Sequence, residues 1–140
     1  MARSQPLAVT WTPSAKSKSA RIYLKLDIAH HGGIAARINC DLADSGSVTI
    51  PASLVTKLMD RGLAGFPSIT LTRRTVDSTI VGPGCVDFVV ASEEAREVEV
   101  EGVISCNTSE DKPTCTPEEV KDGCKQCPTG MKCGDGFRCK

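Results

Sequence analysis

From position 21 the chain reads RIYLKLDIA, with Ile22, Leu24, Leu26 and Ile28 on one side of an extended backbone and Tyr23, Lys25 and Asp27 on the other. Apolar residues at every second position mark a strand with one face buried. HHGG at 30–33 follows as a polar turn, its glycines free to take positive φ. The alternation resumes in ARINCDL at 36–42, where Ile38, Cys40 and Leu42 share a face, and ADSG ends it. LAVTW at 7–11 and SVTI at 47–50 read as shorter strands.

The period then changes. PASLVTKLMDRGL places Leu54, Val55, Leu58 and Met59 on one helical stripe, with Pro51 opening the helix and Gly62 at its stop. PSITLTRRT at 67–75 returns to alternation through Ile69 and Leu71. Val76-Asp77-Ser78 reads as a polar turn and Pro83-Gly84 as a second one. CVDFVVA at 85–91 groups Val86, Phe88 and Val90, and REVEVEGVIS at 96–105 turns Val98 and Val100 inward with glutamates outward. About six or seven short strands, one short helix and frequent turn signals predict a mainly β chain, an antiparallel all-β sandwich with one short helix.

After Cys106 the composition shifts. Val120, Met131 and Phe137 are the substantial apolar residues of the remaining segment. It cannot build a core of its own, so cross-links must hold it. The chain therefore divides into a sandwich over 1–106 and a cysteine-rich tail over 107–140. Within the tail, TPEEV at 116–120 has the makings of one capped helical turn: Thr116 at the N-cap, Pro117 at N1 and Glu119 at N3.

Composition narrows the function classes. Lys plus Arg and Asp plus Glu stand at 17 each, mixed along the chain, which leaves no electrostatic footprint for nucleic acid or acidic membranes. Aromatic residues make up 4%, a thin basis for a stacking platform. No apolar run approaches the roughly 20 residues of a transmembrane helix. MARSQPLAVTW lacks the apolar stretch of a signal peptide. The chain is expected to start after a removed export signal or to be an excised domain with a supplied Met1, with any envelope attachment through a region outside it.

The cysteines stand at 40, 85, 106, 115, 124, 127, 133 and 139. Cys124 and Cys127 have the spacing that grips zinc, but Cys133 and Cys139 do not supply a matching second pair, and the tail holds no histidine. A thioredoxin-like redox pair needs a strand leading into a helix N-terminus. CKQC instead follows Asp122-Gly123 and precedes Pro128. Disulfides remain, which places the chain in an oxidising compartment: secreted, periplasmic or cell-surface. All eight cysteines are expected to be half-cystines. Cys40 and Cys85, both in strand patterns near turns, suggest one bridge across the sandwich, worth about 4 kcal/mol in the chain-entropy picture. The other six then pair among themselves. The rival joins Cys40 to Cys106 and leaves Cys85 to the tail.

Other candidate chemistry is sparse. His30 and His31 form either a surface metal pair or a polar turn; adjacent residues of an extended chain point apart, which favours the turn. Neither a GxSxG elbow nor an HExxH helix is present, and no catalytic residue or cofactor is assigned. Asp41, Asp44 and Ser45 at a strand end offer a weak calcium site or a solvated turn. Lys25, Arg73 and Arg74 offer a cationic patch or scattered surface charge. NTS at 107–109 matches a glycosylation acceptor in a segment that should be exposed. Trp11 beside Pro13 covers a sheet edge or stacks on a sugar. His30, His31, Pro128 and Met131 are candidate contact-loop residues.

GSVTIPASLVTKLMDRGLAGFPSITLTRRT resembles the strand, short helix and strand of bacterial immunoglobulin-like sandwiches. DGCKQCPTGMKCGDGFRC is similar to the CPxGxxC tails of exported bacterial envelope proteins. The resemblance implies a non-enzymatic secreted or cell-envelope module with structural or interaction duties and an unidentified protein partner. Two alternatives accompany it. One is a cysteine-rich inhibitor or toxin-like effector that inserts the loop at 128–132 into its target. The other is a carbohydrate-binding accessory domain.

Overall fold

The computed structural model describes residues 1–15, 19–28, 36–63 and 65–140; the stretch HHGG, with His30 and His31, for which a turn is expected, lies outside them. The chain is mainly β and antiparallel. Its main sheet is built from β2 (Arg21–Asp27), β3 (Arg37–Ala43), β5 (Ser68–Val81) and β6 (Gly84–Glu97), in the order β3-β2-β5-β6. A second, smaller layer consists of β1 (Leu7–Thr10) paired with β4 (Ser47–Ile50), followed by helix α1 (Ala52–Asp60).

The core lies between these layers. Leu24, Leu26 and Ile28 of the β2 segment are wholly buried against Ile50, Val55, Leu58, Met59 and Val100, with Leu7, Val9 and Val48 packed at the margin. Register explains which residues share the inner face. Leu24 stands opposite Cys40 on one side and Leu71 on the other, and Leu26 opposite Ile38 and Ile69. Helix α1 buries Val55, Leu58 and Met59 as the 3.6-residue spacing requires, but Leu54 is turned to solvent. Pro51 sits at the N-cap rather than at the first helical position.

The longest elements depart furthest from expectation. Val76-Asp77-Ser78 is not a turn. It lies inside β5, and β5 and β6, each of 14 residues, form one uninterrupted hairpin. The loop is Gly82-Pro83, since Val81 pairs with Gly84. Gly82 has φ +58, the positive value that the first central position of a type II′ turn demands. Because β6 runs through Glu97, the segment from Val98 to Val103 is not a further strand. It crosses the end of the sheet, with Val100 buried as expected and Val98 donating its amide to the Pro67 carbonyl at 2.8 Å.

The tail is folded by sulfur. Cys106 bonds to Cys133, Cys115 to Cys124 and Cys127 to Cys139. Closing loops of these lengths contributes about 3 kcal/mol each in the chain-entropy picture. Helix α2 (Pro117–Lys121) carries the expected capping box between Thr116 and Glu119. Strands β7 (Cys133–Gly134) and β8 (Arg138–Cys139) pair beside the bridges. The tail docks on the body where Phe137 meets Phe66, with ring centres 5.4 Å apart, and where Lys125 pairs with Glu97.

Cys40 and Cys85 are free thiols, which corrects both the expected bridge between them and the rival pairing of Cys40 with Cys106. Geometry forbids the first. Cys40 lies level with Leu71 across the sheet, whereas Cys85 pairs with Ile80. The step from Leu71 to Ile80 along β5 spans about 30 Å at 3.4 Å per residue, against the roughly 7 Å limit between bridged Cα atoms. The two side chains also belong to opposite faces of the sheet, because Leu71 and Ile80 differ in parity.

This packing makes a sharp contrast testable by chemical denaturation. Leu24→Ala should cost about 2–5 kcal/mol, as expected for a fully buried leucine. Phe88→Ser, on the outer hairpin, should shift stability by no more than about 0.5 kcal/mol. Equal losses at the two positions would contradict the placement of the core.

Candidate interaction surface

Beyond Arg74 the β5–β6 hairpin leaves β2 behind, since β2 pairs with β5 only from Ser68 to Arg74. Residues 75–90 therefore form a two-stranded arm. On its inner-parity face stand Val81, Val86, Phe88 and Val90, and on the other Val76, Ile80 and Val89. Val86, Phe88 and Val90, grouped on one face by their alternation, are 41%, 58% and 73% exposed. Soluble proteins rarely leave such a contiguous apolar patch uncovered unless it meets a partner.

A groove of about 570 Å³ opens at the foot of the arm, between the end of β1 and the base of β6. Ile22 and Leu71 line its apolar part; Trp11 and Thr12 flank one side, and Ser92, Glu94 and Arg96 the other. This is the part of the inner sheet face that the smaller layer leaves open.

One carboxylate organises the groove's near wall. Asp44, whose side chain is 5% exposed, accepts hydrogen bonds from the Trp11 indole Nε1 at 2.7 Å, the Ser14 amide at 2.9 Å and the Arg73 Nε at 2.9 Å. Arg73 also donates to the Thr12 carbonyl. Burial pushes the Asp44 carboxyl up, but the hydrogen bonds from Ser14, Arg73 and Trp11 outweigh it and hold the group below the usual carboxylate range. Gly46 permits the close approach. It has φ +94, and a Cβ there would sit 3.0 Å from Pro13 Cγ and 3.4 Å from the Trp11 carbonyl oxygen.

The remaining candidates separate. Asp41 is taken up by Arg21 and Arg74, and the hydrogen bond from Arg21 leads the effects that lower its pKa. Asp41 and Asp44 thus serve different arginines and do not converge on a shared cation site with Ser45. Arg73 and Arg74, being adjacent on β5, point to opposite faces, so with Lys25 they make no single patch. Arg74 lies over the Tyr23 ring at 5.9 Å.

Asn107 is exposed as expected, but its amide ties two tail segments together. Nδ2 donates to the Gly123 carbonyl at 3.0 Å, and Oδ1 accepts from the Lys125 amide at 2.7 Å. In the tail loop, the Met131 amide donates to the Pro128 carbonyl at 3.1 Å, and Gly130 supplies the positive φ of +90 that a type II turn needs at its third position. Met131 is 43% exposed at the rim of this stapled turn. The sulfurs of Cys106, Cys127 and Cys133 lie within 4.8 Å of one another, but each is spent in a disulfide.

What sequence reasoning missed was the role of Asp44 and the exposure of the arm. Alternation located the Val86, Phe88 and Val90 column without showing that nothing would cover it.

The depressed Asp44 carboxyl gives a pH dependence of definite sign. Its contribution to stability is fully present above the ordinary carboxyl value near 3.8 and is lost as the pH falls through the depressed folded-state value. Thermal melts at pH 6 should place Asp44→Asn below the parent chain, and the gap should close on acidification below about 3.8. A gap that persists or widens in acid would overturn the assignment. Comparison with known protein families, curated proteins and solved structures finds no match to this chain.

Proposed function

We propose that this protein is a non-enzymatic interaction module of an oxidising compartment, secreted, periplasmic or held at the cell surface. The observation that carries the reading is the apolar arm of residues 75–90, whose side chains lie open on both faces of a hairpin projecting past the sheet. The three tail disulfides support the compartment, since cytosolic reductants would open such bridges and release a segment with little apolar packing of its own. No helix among the described residues is long and apolar enough to cross a membrane. The CPxGxxC likeness of the tail to exported bacterial envelope proteins points the same way. Polar side chains at the groove are engaged with one another, as Arg73 is with Asp44 and Arg96 with Glu94, an arrangement suited to holding shape rather than to acid-base chemistry.

Thiol labelling checks the covalent part of this proposal. Protein folded under oxidising conditions should take up one alkyl group quickly, at exposed Cys85, and a second slowly, at half-buried Cys40. Full reduction should raise the total to eight. More than two adducts on the native chain would remove the compartment argument.

A second reading has one specific observation in its favour. Trp11 stands on the rim of the groove with its indole N–H fixed by Asp44, beside Arg73, Glu94 and Arg96, an aromatic and polar pairing that suits a sugar. A thermal-shift screen of oligosaccharides tests it. A true ligand at about 100 times its dissociation constant stabilises by about 2.7 kcal/mol, and Trp11→Ala should abolish the shift. Absence of any shift across the screen would retire this reading.

A further inference from the structure

We infer that the partner of the arm is a second copy of this chain, joined edge to edge through β6 about a two-fold axis. The inference rests on the reading of the arm as an interaction element and names its occupant. β6 is the last strand of the sheet, and among the described residues no strand pairs with its outer edge along its 14 residues, where every second amide and carbonyl is turned away from β5. Long edges are ordinarily guarded by charge or proline. Between Gly84 and Ser92 the only charged residue is Asp87, and Pro83 lies in the turn. The opposite edge of the arm, along β5, is less accessible. It is free only past Arg74, where Arg21 of β2 closes it.

Charge and apolar matching together select the register. In a symmetric antiparallel pair the opposing residues must share a face, so each faces a residue of its own parity. Centring the pair on Asp87 would set Asp87 against itself, and centring it on Val90 would set Asp87 against Glu93. Centring it on Ala91 would press Phe88 against Glu94 and Val89 against Glu93. Centring it on Val89 would set Cys85 against Glu93. Centring it on Phe88 places Val86 against Val90, Phe88 against Phe88, Cys85 against Ala91 and Gly84 against Ser92. That register opposes no two carboxylates, keeps carboxylate against valine to the single pairing of Asp87 with Val89, and joins the two apolar columns into one. It also lays the partner's Gly82-Pro83 turn alongside Glu93 and Glu94, at the open flank of the groove lined by Trp11 and Arg73. Each groove would thus be walled by the hairpin tip of the other copy.

Nine residues of strand edge run about 30 Å and cover well under the roughly 800 Å² per partner of a stable interface. Association should therefore depend on concentration. Cys85 and its symmetry mate lie six residues apart in this register, about 20 Å, so the free thiol does not cross-link the dimer.

Sedimentation velocity on the Cys85→Ser chain, from 1 to several hundred μM, should show a monomer–dimer equilibrium. Val86→Lys with Val90→Lys should weaken it at least tenfold without moving the melting temperature. Phe88→Cys in the Cys85→Ser background should oxidise to a covalent dimer, whereas Asp87→Cys should not. A chain that stays monomeric throughout, a dimer indifferent to the two lysines, or a dimer that exists only through Cys85 would each overturn the inference. A monomer whose arm binds a different protein would overturn it while leaving the module reading intact.

Discussion

The disulfide from Cys106 to Cys133 is the bond on which the architecture turns. Cys106 is wholly buried where the chain leaves the body, and its partner lies at the start of the tail's own small sheet. The bridge brings residues 27 apart in sequence to one point. Around it the backbone can then form the bonds that seat the tail, from the Cys106 amide to the Phe137 carbonyl and from the Cys139 amide to the Ile104 carbonyl. The Cys127–Cys139 bridge interleaves with it in sequence, and Cys115–Cys124 is nested inside it, so the three together constrain the unfolded tail far more than any one does. The Phe66–Phe137 contact is the main aromatic packing at this junction, and it is only as good as the sulfur bridges that deliver Phe137 to it.

The body, whose two cysteines are free, is held instead by a small core. The buried apolar side chains gather under β2, β4 and α1, and the smaller layer reaches no further across the sheet than β2 and the near side of β5. Where apolar cover stops, the sheet face turns polar: Arg73, Ser92, Glu94 and Arg96 follow Leu71 on the same face. Asp44 secures this boundary. Burying a carboxylate is costly unless it is fully hydrogen-bonded, and here an indole, an amide and a guanidinium meet that need together. The same three bonds fix the orientation of Trp11 and the path of the chain through Ser14.

Much of this was legible locally and little of it globally. The capping box of Thr116 and Glu119, the stop of α1 at Gly62 and the inner face of β2 are determined by neighbours within a few residues, and the sequence pattern states them directly. Alternation fails where it must report what lies across a gap. Val86, Phe88 and Val90 carry the same period as Leu24, Leu26 and Ile28, but only the second set meets a covering layer. Leu54 extends the helical stripe of Val55 and Leu58 yet falls just outside the packed arc. Cys40 and Cys85 looked equivalent as strand residues near turns; which face each occupies, and how far along the hairpin, depends on register that no single segment encodes. The groove was invisible for a similar reason, because Trp11, Asp44, Arg73 and Arg96 come from four separate stretches of chain.

The sequence of faces along the β5–β6 hairpin argues against regarding the arm as mere surplus length. Moving outward from the core, the inner face passes from Ile69 and Leu71 to Arg73 and Ser92, and then becomes apolar again along β6 at Val90, Phe88 and Val86, opposite Thr75, Asp77 and Thr79 of β5. A hairpin that simply ended in water would be expected to stay polar once past the belt of arginines and glutamates, since threonine and lysine keep strand geometry without exposing a hydrocarbon column. Burying a valine or phenylalanine side chain is worth about 1.5–3 kcal/mol, and the arm forgoes much of that at several adjacent positions while the chain is alone. The polar belt separates two apolar zones with different duties. The inner one is buried within the chain by α1 and β4, and the outer one stays exposed on the chain by itself.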